Sequence, residues 1–333
     1  MSTARSRVWR NGKQEADGFP LAVLSQLIHD PGTLVWFHLD RPEPGVLAEL
    51  AAELDLDRHA LEDAIEPEER PKATRHASHT FFTCYATHLF TEPPGTLLLE
   101  TPRVSAFVLP HALITVSTSG LDVEPLLLRW EENGLLRLGV GALVHGLLDT
   151  IVDGHFAAIQ GLDDAVEGLE DLLFGDSPVH DSRRNRQIQQ RIFGVRKALV
   201  QLRRKVLPMR EVVAAVMRSR TADDPASREL DGYFDDLYDH VIRAAEWSES
   251  LREVVGSAFE TNLSLQDARL NDIMKKLAGW AAIIAVPTAV TGWFGQNLPY
   301  PGYNTAFGVG LSALAILFGS GGLFALFRRI DWL

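Results

Sequence analysis

The sequence predicts an α+β protein with an N-terminal mixed α/β domain, a long helical stalk and two C-terminal transmembrane helices. Strand-like runs alternate with helical patterns early in the chain, and only helical periodicity follows. The charged residues are also distributed unevenly between the two parts of the chain. Residues 1–272 hold 28 basic and 43 acidic side chains, a net charge of −15, whereas residues 273–333 carry +3. This division indicates an acidic soluble body joined to an apolar tail.

The N-terminal domain is predicted to span residues 1–123. Between residues 33 and 123 the short β-like runs are LVWFHLD, TFFTCYATHLF, RVSAFVLP and ALITVST. Helical patterns lie between the strands at 44–54 and 58–65. Alternation between strand-like and helical periodicity predicts a cytosolic domain of mixed α/β type.

The helical part is predicted to span residues 124–276, with helices near 124–132, 140–174, 181–220 and 227–294. Turn-rich breaks at 175–178 and 221–225 separate the long ones. The last helix would be about 100 Å long at 1.5 Å per residue. Its heptad-like apolar positions predict packing in a bundle. These positions are Leu230, Leu237, Val241, Leu251, Val254, Val255, Leu263 and Leu270.

Two apolar runs, 277–294 and 306–327, contain no ionisable side chain. A bilayer core of about 30 Å needs about 20 helical residues, so both are predicted to span it. The loop 295–305 is short enough to make them a hairpin, followed by a basic tail at 328–333. Two buried helices of a soluble protein are the alternative, but such helices seldom lack a polar face.

Basic pairs flank the hairpin. Lys275 and Lys276 precede the first span, and Arg328 and Arg329 follow the second. Because basic residues stay inside, we expect a multi-pass protein of the inner cell membrane with both termini cytoplasmic. The single cysteine, Cys84, suits a reducing cytosol.

The first span has one thin face and one bulky face. The thin stripe consists of Met274, Leu277, Ala281, Ala285, Thr288 and Gly292. Such a stripe serves either close helix packing, its commoner use, or the wall of a conduit that several chains would enclose. Pro287 frees a backbone carbonyl, which a partner or water must satisfy.

The tail carries a family resemblance. It reads NDIMKKL from Asn271, then Pro287-Thr288, Gly292 and FGQN from Phe294, and it ends in RRIDWL. Upstream stand LITV at 113–116, LRRKVLP at 202–208 and LYDH at 237–240. Together these motifs resemble the CorA family of divalent-cation transporters, which have two transmembrane helices and a Gly-x-Asn loop and include the ZntB zinc transporters.

The resemblance implies a homopentameric funnel whose axis is lined by five long helices. Its selectivity filter would be Gly295, Gln296 and Asn297. The matching pore positions are Asn271, Met274, Leu277, Ala285, Thr288, Gly292 and Asn297, and Ala281 completes the thin stripe.

A ring of amide oxygens fits a hydrated cation. Mg²⁺ loses its waters reluctantly, and amide oxygens accept hydrogen bonds from those waters. Gly295 would allow the turn that aims Asn297 inward. From the residues alone, a helix C-cap is the other explanation for Asn297.

The ion itself stays open. Magnesium-transporting members usually have Met, and zinc members often Ile or Val, where this chain has Gln296, and its outer loop lacks an acidic residue. Mg²⁺ or Co²⁺ is the first expectation, as substrate and regulator, with no cofactor. The alternative is a ZntB-type Zn²⁺ transporter, with or without proton coupling.

Regulation is implied by the resemblance, which places Asp236 at an acidic position that binds the regulatory ion. Other acidic clusters are expected to be solvated faces: Glu66, Glu68 and Glu69, and Asp163, Asp164, Glu167, Glu170 and Asp171. His76, His79, Cys84 and His88 are not expected to form a zinc site, because His79 and Cys84 point to opposite faces of one strand.

Other function classes are weaker. The sequence lacks a phosphate-binding Gly-rich Lys loop, a His-Glu-x-x-His motif and a Gly-x-Ser-x-Gly elbow, so we expect no enzyme. The expected partners are further copies of the chain, lipid and divalent cations, with no nucleic acid. A non-conducting, membrane-anchored metal sensor remains the rival.

Overall fold

The computed structural model describes the chain apart from residues 1–2, 31, 67–68, 93–95, 119, 133, 175–181, 221–224, 297–298, 300–301 and 333. The chain divides into two compact units, Met1–Gly256 and Ser257–Leu333. The first unit is the mixed α/β body, and the second is an apolar helical hairpin.

The strands and helices follow in chain order. The strands are β1 Thr3–Arg10, β2 Lys13–Asp17, β3 Thr33–Asp40, β4 Lys72–Arg75, β5 Thr80–Tyr85, β6 His88–Glu92, β7 Thr96–Glu100, β8 Arg103–Val108 and β9 Ala112–Ser117. The helices are α1 Leu24–Ile28, α2 Pro44–Leu54, α3 Arg58–Ile65, α4 Glu124–Glu132, α5 Val140–Phe174, α6 Ser182–Val206, α7 Met209–Ser219, α8 Pro225–Glu229, α9 Asp231–Phe294 and α10 Ala306–Arg329.

A seven-stranded sheet organises the body, in the order β2-β1-β3-β9-β8-β5-β4. Strands β3 and β9 pair in parallel, and the other neighbours pair antiparallel. Strands β6 and β7 form a separate hairpin. The predicted mixed α/β class of the N-terminal body is therefore confirmed.

Both faces of the sheet are buried at its central strands, β3 and β9. Along β3, Leu34 and Trp36 enter a cluster with α4, α5, α7 and α9. Val35 and Phe37 enter a second cluster with α1, α2 and α3. Side chains alternate across a strand, so a strand covered on both faces is apolar throughout. A third cluster joins α5, α6 and α9 beyond the sheet.

Several strands have no counterpart in the sequence prediction: β1, β2, β4 and β7. Strand β2 is exposed along its length, as an edge strand can be, so its sequence, KQEAD, shows no apolar alternation. A turn signal was present nonetheless. Asn11 and Gly12 both have positive φ, +51° and +76°, and join β1 to β2 as an Asn-Gly hairpin turn.

Two elements that the sequence predicts as continuous are each interrupted in the structure. The run TFFTCYATHLF supplies both β5 and β6, which belong to different sheets. The helix predicted at 181–220 is α6 and α7, separated at Leu207 and Pro208. Proline has no N–H and its ring clashes with the carbonyl four residues earlier, so the helix restarts there. The last long helix begins at Asp231 rather than at 227.

Candidate functional site

Within the described part of the chain, three helices are long and apolar enough to span a membrane. In α5 the apolar 18-residue stretch is 67% buried inside the body, so its apolar side chains already have partners. The corresponding stretches of α9 and α10 are 6% and 0% buried. The two predicted spans are therefore the apolar helices whose surface stays uncovered within one chain.

Helices α9 and α10 pack as an antiparallel hairpin. The rings of Trp280 and Phe324 lie 6.4 Å apart. One turn further along, the Ser320 hydroxyl donates to the carbonyl of Ile283 at 3.4 Å. A Cβ at Gly319 would lie 2.8 Å from Cγ1 of Val286, so glycine is needed for this close approach.

The Ser320 hydroxyl satisfies a carbonyl that a proline leaves free. Pro287 lies inside α9 and has no N–H to offer the carbonyl of residue 283. Water is absent from the bilayer core, so such a carbonyl needs a partner in the protein. Ser320 supplies it, and the predicted need for a partner is met by the second span.

The register of the hairpin places the basic pairs at one end. The contacts of Trp280 with Phe324 and of Ile283 with Ser320 bring Lys276 level with Arg328. Lys276 also pairs with Asp272 at 2.9 Å. The pairs thus lie at the same end of the hairpin, which is the condition for applying the positive-inside rule.

The thin stripe of α9 points away from α10. Ile283, Val286 and Val290 are half-buried and form the side that faces α10. At 100° per residue, the stripe lies roughly opposite that side. All the predicted pore-lining positions are exposed within one chain: Asn271, Met274, Leu277, Ala281, Ala285, Thr288 and Gly292.

From Ala281 to Gly292 the stripe consists of small side chains, and its one hydroxyl belongs to Thr288. The Thr288 hydroxyl donates to the carbonyl of Ile284 at 3.1 Å. Beside the stripe, the Thr291 hydroxyl donates to the carbonyl of Pro287 at 2.8 Å. Because each hydroxyl also retains acceptor capacity, the face can still accept hydrogen bonds from water.

The predicted filter begins where α9 ends. The N–H of Gly295 donates to the carbonyl of Thr291 at 2.8 Å, and that of Gln296 to Trp293 at 3.4 Å. A Cβ at Gly295 would lie 2.8 Å from the Thr291 oxygen. Gly295 is therefore needed for space, and its φ is not among the positive ones. Asn297 lies outside the described residues.

Residues 302–305, at the end of the outer loop, are tied to the start of α10. Gly302 has a φ of +91°, and its carbonyl accepts from the Thr305 hydroxyl at 2.8 Å. Thr305 caps α10 by accepting from the N–H of Gly308. A Cβ on Gly308 would strike the Gly302 carbonyl oxygen. The end of the loop therefore packs against α10 through Gly302 and Gly308.

Asp236, the predicted regulatory residue, is on α9 inside the body. Its side chain is 70% exposed, and its carboxylate lies 3.8 Å from Nε2 of His240. No group of three or more metal-ligand side chains occurs among the described residues. A metal at Asp236 would therefore need ligands from elsewhere, such as another copy.

The other residues that could bind a metal either lie far apart or are already paired with other side chains. Glu69 pairs with Lys72 at 3.0 Å, and Glu68 lies outside the described residues. Cys84 is buried in the cluster of α4 and α5, while the His79 ring contacts Phe107 on the other side of the sheet. Burial raises the pKa of the Cys84 thiol to about 12, so it stays protonated.

Comparison with known proteins gives a consistent result. The sequence profile of the family described as "CorA-like Mg2+ transporter protein" matches residues 31–329. The chain is 28% identical over 245 residues to the "Cobalt/magnesium transport protein CorA" of Thermotoga maritima, covering 72% of this chain and 66% of that protein. With the protein of the same name from Methanocaldococcus jannaschii it shares 24% identity over 316 residues, covering 93% and 95%.

A solved structure agrees in fold. "The complete structure of CorA magnesium transporter from Methanocaldococcus jannaschii" superposes with a TM-score of 0.77 at 21% identity. The superposition covers 99% of this chain and 98% of that one. The resemblance first drawn from the tail thus extends over the whole fold.

The bond from Ser320 to Ile283 can be tested by a double-mutant cycle. Ser320→Ala should lower the stability of the detergent-solubilised protein by about 1 kcal/mol, because the Ile283 carbonyl loses its partner. In a Pro287→Ala background the same change should cost less, since alanine restores the helical N–H. Thermal or denaturant unfolding measures both. An equal cost in the two backgrounds would contradict the pairing.

Proposed function

The chain belongs to the CorA-like Mg²⁺ transporter family, and we propose that it carries divalent metal cations across the membrane through a pore enclosed by five copies. The observation that carries this proposal is the exposed thin stripe of α9, which faces away from the chain's own second span. One hairpin cannot enclose a pore. Several such stripes around an axis can.

Five copies is the number that the family resemblance implies. Further along α9, apolar side chains are exposed within one chain: Leu263 is 45% and Leu270 60% accessible. Exposed apolar positions on a long helix favour packing against another helix. We propose that α9 of neighbouring copies covers them, and that α10 forms the outer ring against lipid.

Selection would occur at the ring of Asn297, directly after Gly295 and Gln296. Mg²⁺ holds its waters tightly, so a filter that grips the hydrated ion avoids the cost of dehydration. Amide oxygens accept hydrogen bonds from the ion's waters without binding so tightly that release becomes slow. A ring of carboxylates would hold the ion longer.

Mg²⁺ or Co²⁺ is the proposed substrate. Support comes from the family and from the printed names of the two relatives, which are cobalt/magnesium transport proteins. Zn²⁺ transport is an outcome that parallel flux measurements with the three ions would reveal. The proposed orientation has the body and both termini in the cytoplasm, supported by the level basic pairs.

The filter is tested by removing its amide. In proteoliposomes containing Asn297→Ala, divalent-cation uptake should fall by more than about tenfold, because each copy loses a hydrogen bond worth about 1 kcal/mol. Asn304→Gly is the matched control: it removes another amide of the same loop at a position of positive φ, +58°. Its uptake should stay near wild type.

Two outcomes would overturn the filter proposal. One is wild-type uptake by assembled Asn297→Ala protein. The other is the absence of divalent-cation flux through the wild-type protein, which would favour a non-conducting sensor.

The proposed regulatory role of Asp236 has its own test. With Asp236→Ala, inhibition of uptake by internal Mg²⁺ should require about tenfold more Mg²⁺ or more, since a lost charged ligand is worth about 1.5–3 kcal/mol. Asp235→Ala, which removes the neighbouring carboxylate from another face of α9, should leave inhibition unchanged. If both variants are inhibited as the wild type is, Asp236 has no such role.

A further inference from the structure

The outer face of α6 carries a line of exposed apolar side chains. Phe193, Val200 and Leu207 are 68%, 42% and 44% exposed, and they recur at every seventh position. Seven residues make about two turns of a helix, so the three side chains lie along one narrow line about 20 Å long. Leu207 continues the last turn of α6, since its N–H donates to the carbonyl of Arg203 at 3.0 Å. This apolar line is a regular feature of the helix surface.

The charge of α6 is opposite to that of the rest of the body. Its 25 residues include nine basic and no acidic side chains, whereas residues 1–272 carry a net charge of −15. Arg186, Lys197 and Arg204 are exposed and, at 100° per residue, point within about 40° of Phe193. None of these three cations has a carboxylate within 4 Å in the described part of the chain.

The opposite face of α6 is already packed. Ile188, Ile192, Val195, Leu199 and Leu202 are buried in the cluster that joins α6 to α5 and α9. The body therefore holds α6 by its inner face, and the apolar line with its three cations has no covering element in the described part of the chain.

The width of the apolar line indicates what could cover it. A helix that lies on a membrane surface has a broad apolar face. Apolar positions at seven-residue spacing instead make the narrow seam by which one helix packs against another. Cations beside such a seam favour a partner helix with acidic side chains. The outer face of α6 thus fits an acidic helix better than a lipid surface.

The outer face of α5 has this acidic character. Asp164, Glu167 and Asp171 are exposed and point within about 60° of one another. Asp164 accepts a hydrogen bond from Gln160 at 2.9 Å, and no cation lies within 4 Å of the three carboxylates in the described part of the chain. A Cβ on Gly168, beside them, would meet no atom within 4 Å. This face is therefore open to the approach of another helix.

We propose that the outer face of α6 packs against the acidic outer face of α5 in the neighbouring copy of the chain. The inference rests on the assembly of copies proposed above and names a contact that joins adjacent bodies. Because the two faces differ, each copy offers α6 to one neighbour and α5 to the other. A closed ring then covers every such face, as heterologous contacts do in cyclic assemblies.

The position of the charges along the two helices suits this contact. Asp171 lies near the end of α5, and Arg186 lies near the start of α6, each about one turn from the connection between the helices. In a ring whose axis runs along the helices, rotation from one copy to the next keeps these heights. Arg186 then meets Asp171 of the neighbouring copy, and Lys197 approaches its Asp164.

The contact is tested by thiol cross-linking of the full-length protein in detergent. Two copies with different tags are co-expressed, one with Gln189→Cys on α6 and the other with Gly168→Cys on α5, and are treated with a short bismaleimide. We expect a covalent dimer that contains both tags, because the two sites lie at the same height, about two turns from the connection. Arg58→Cys, on α3 at the other face of the sheet, replaces Gly168→Cys in the control and should give no dimer.

Charge reversal tests the pairing itself. Arg186→Glu with Lys197→Glu should lower the yield of the dimer by about tenfold or more, because like charges then face each other. Asp164→Lys with Asp171→Lys should do the same. Copies that carry all four changes should regain most of the cross-link, which loss of folding would not allow. Arg191→Glu, exposed on another side of α6, is the matched control and should leave the yield unchanged.

Light scattering on the same samples gives the number of copies. An assembled protein that gives no more dimer than the Arg58→Cys control overturns the contact, leaves the transport proposal intact and assigns the α6 face to lipid or another partner. Charge reversal without effect also overturns the contact. A wild-type protein that is a single chain overturns both proposals. Cross-linking with rescue in a protein without cation flux supports the contact and rejects transport.

Discussion

Hydrocarbon supplies no hydrogen-bond partner, so every backbone carbonyl that loses its helical bond inside a membrane must find one in the protein. Pro287 creates one such carbonyl on Ile283, and Ser320 of the second span satisfies it. Gly319 permits the approach, since any Cβ there would meet Val286. This contact fixes which side of α9 faces α10, and therefore which side remains available.

The available side is the one that the proposed pore requires. With Ile283, Val286 and Val290 turned toward α10, the stripe from Met274 to Gly292 is exposed. Its small side chains from Ala281 to Gly292 leave room for other copies or for water, and the Thr288 hydroxyl offers an oxygen acceptor. A helix pair whose apolar surface is uncovered cannot be stable in water by itself. The proposed assembly, with lipid on one side of the hairpin and further copies on the other, would cover both surfaces.

Much of the fold was predictable because it depends on local signals. Helices α2 and α3 agree with the patterns at 44–54 and 58–65, and the two spans follow from length and missing charge. The β1–β2 hairpin was missed although Asn11-Gly12 signals its turn, because polar edge strands show little alternation. The division at Pro208 was missed because apolar periodicity continues through it.

The candidate site was predictable only in part. Periodicity on α9 identifies the stripe, since all its members lie on one helix. Ser320 and Gly319 could not be assigned their roles, because the register between two helices is a property of the pair and not of either sequence. Gly295 is predicted to allow the turn that aims Asn297, and the structure adds that a Cβ there would meet the Thr291 carbonyl oxygen.

The central claim, that the stripe of α9 borders water while α10 borders lipid, is tested most directly by thiol accessibility in conducting proteoliposomes. The natural Cys84 is buried and its raised pKa makes it unreactive. The reactivity of a single introduced cysteine can therefore be measured without removing Cys84. A charged, water-soluble methanethiosulfonate should modify Thr288→Cys and block cation uptake, and should leave Leu317→Cys unmodified. Modification of Leu317→Cys together with an inert Thr288→Cys would contradict the account.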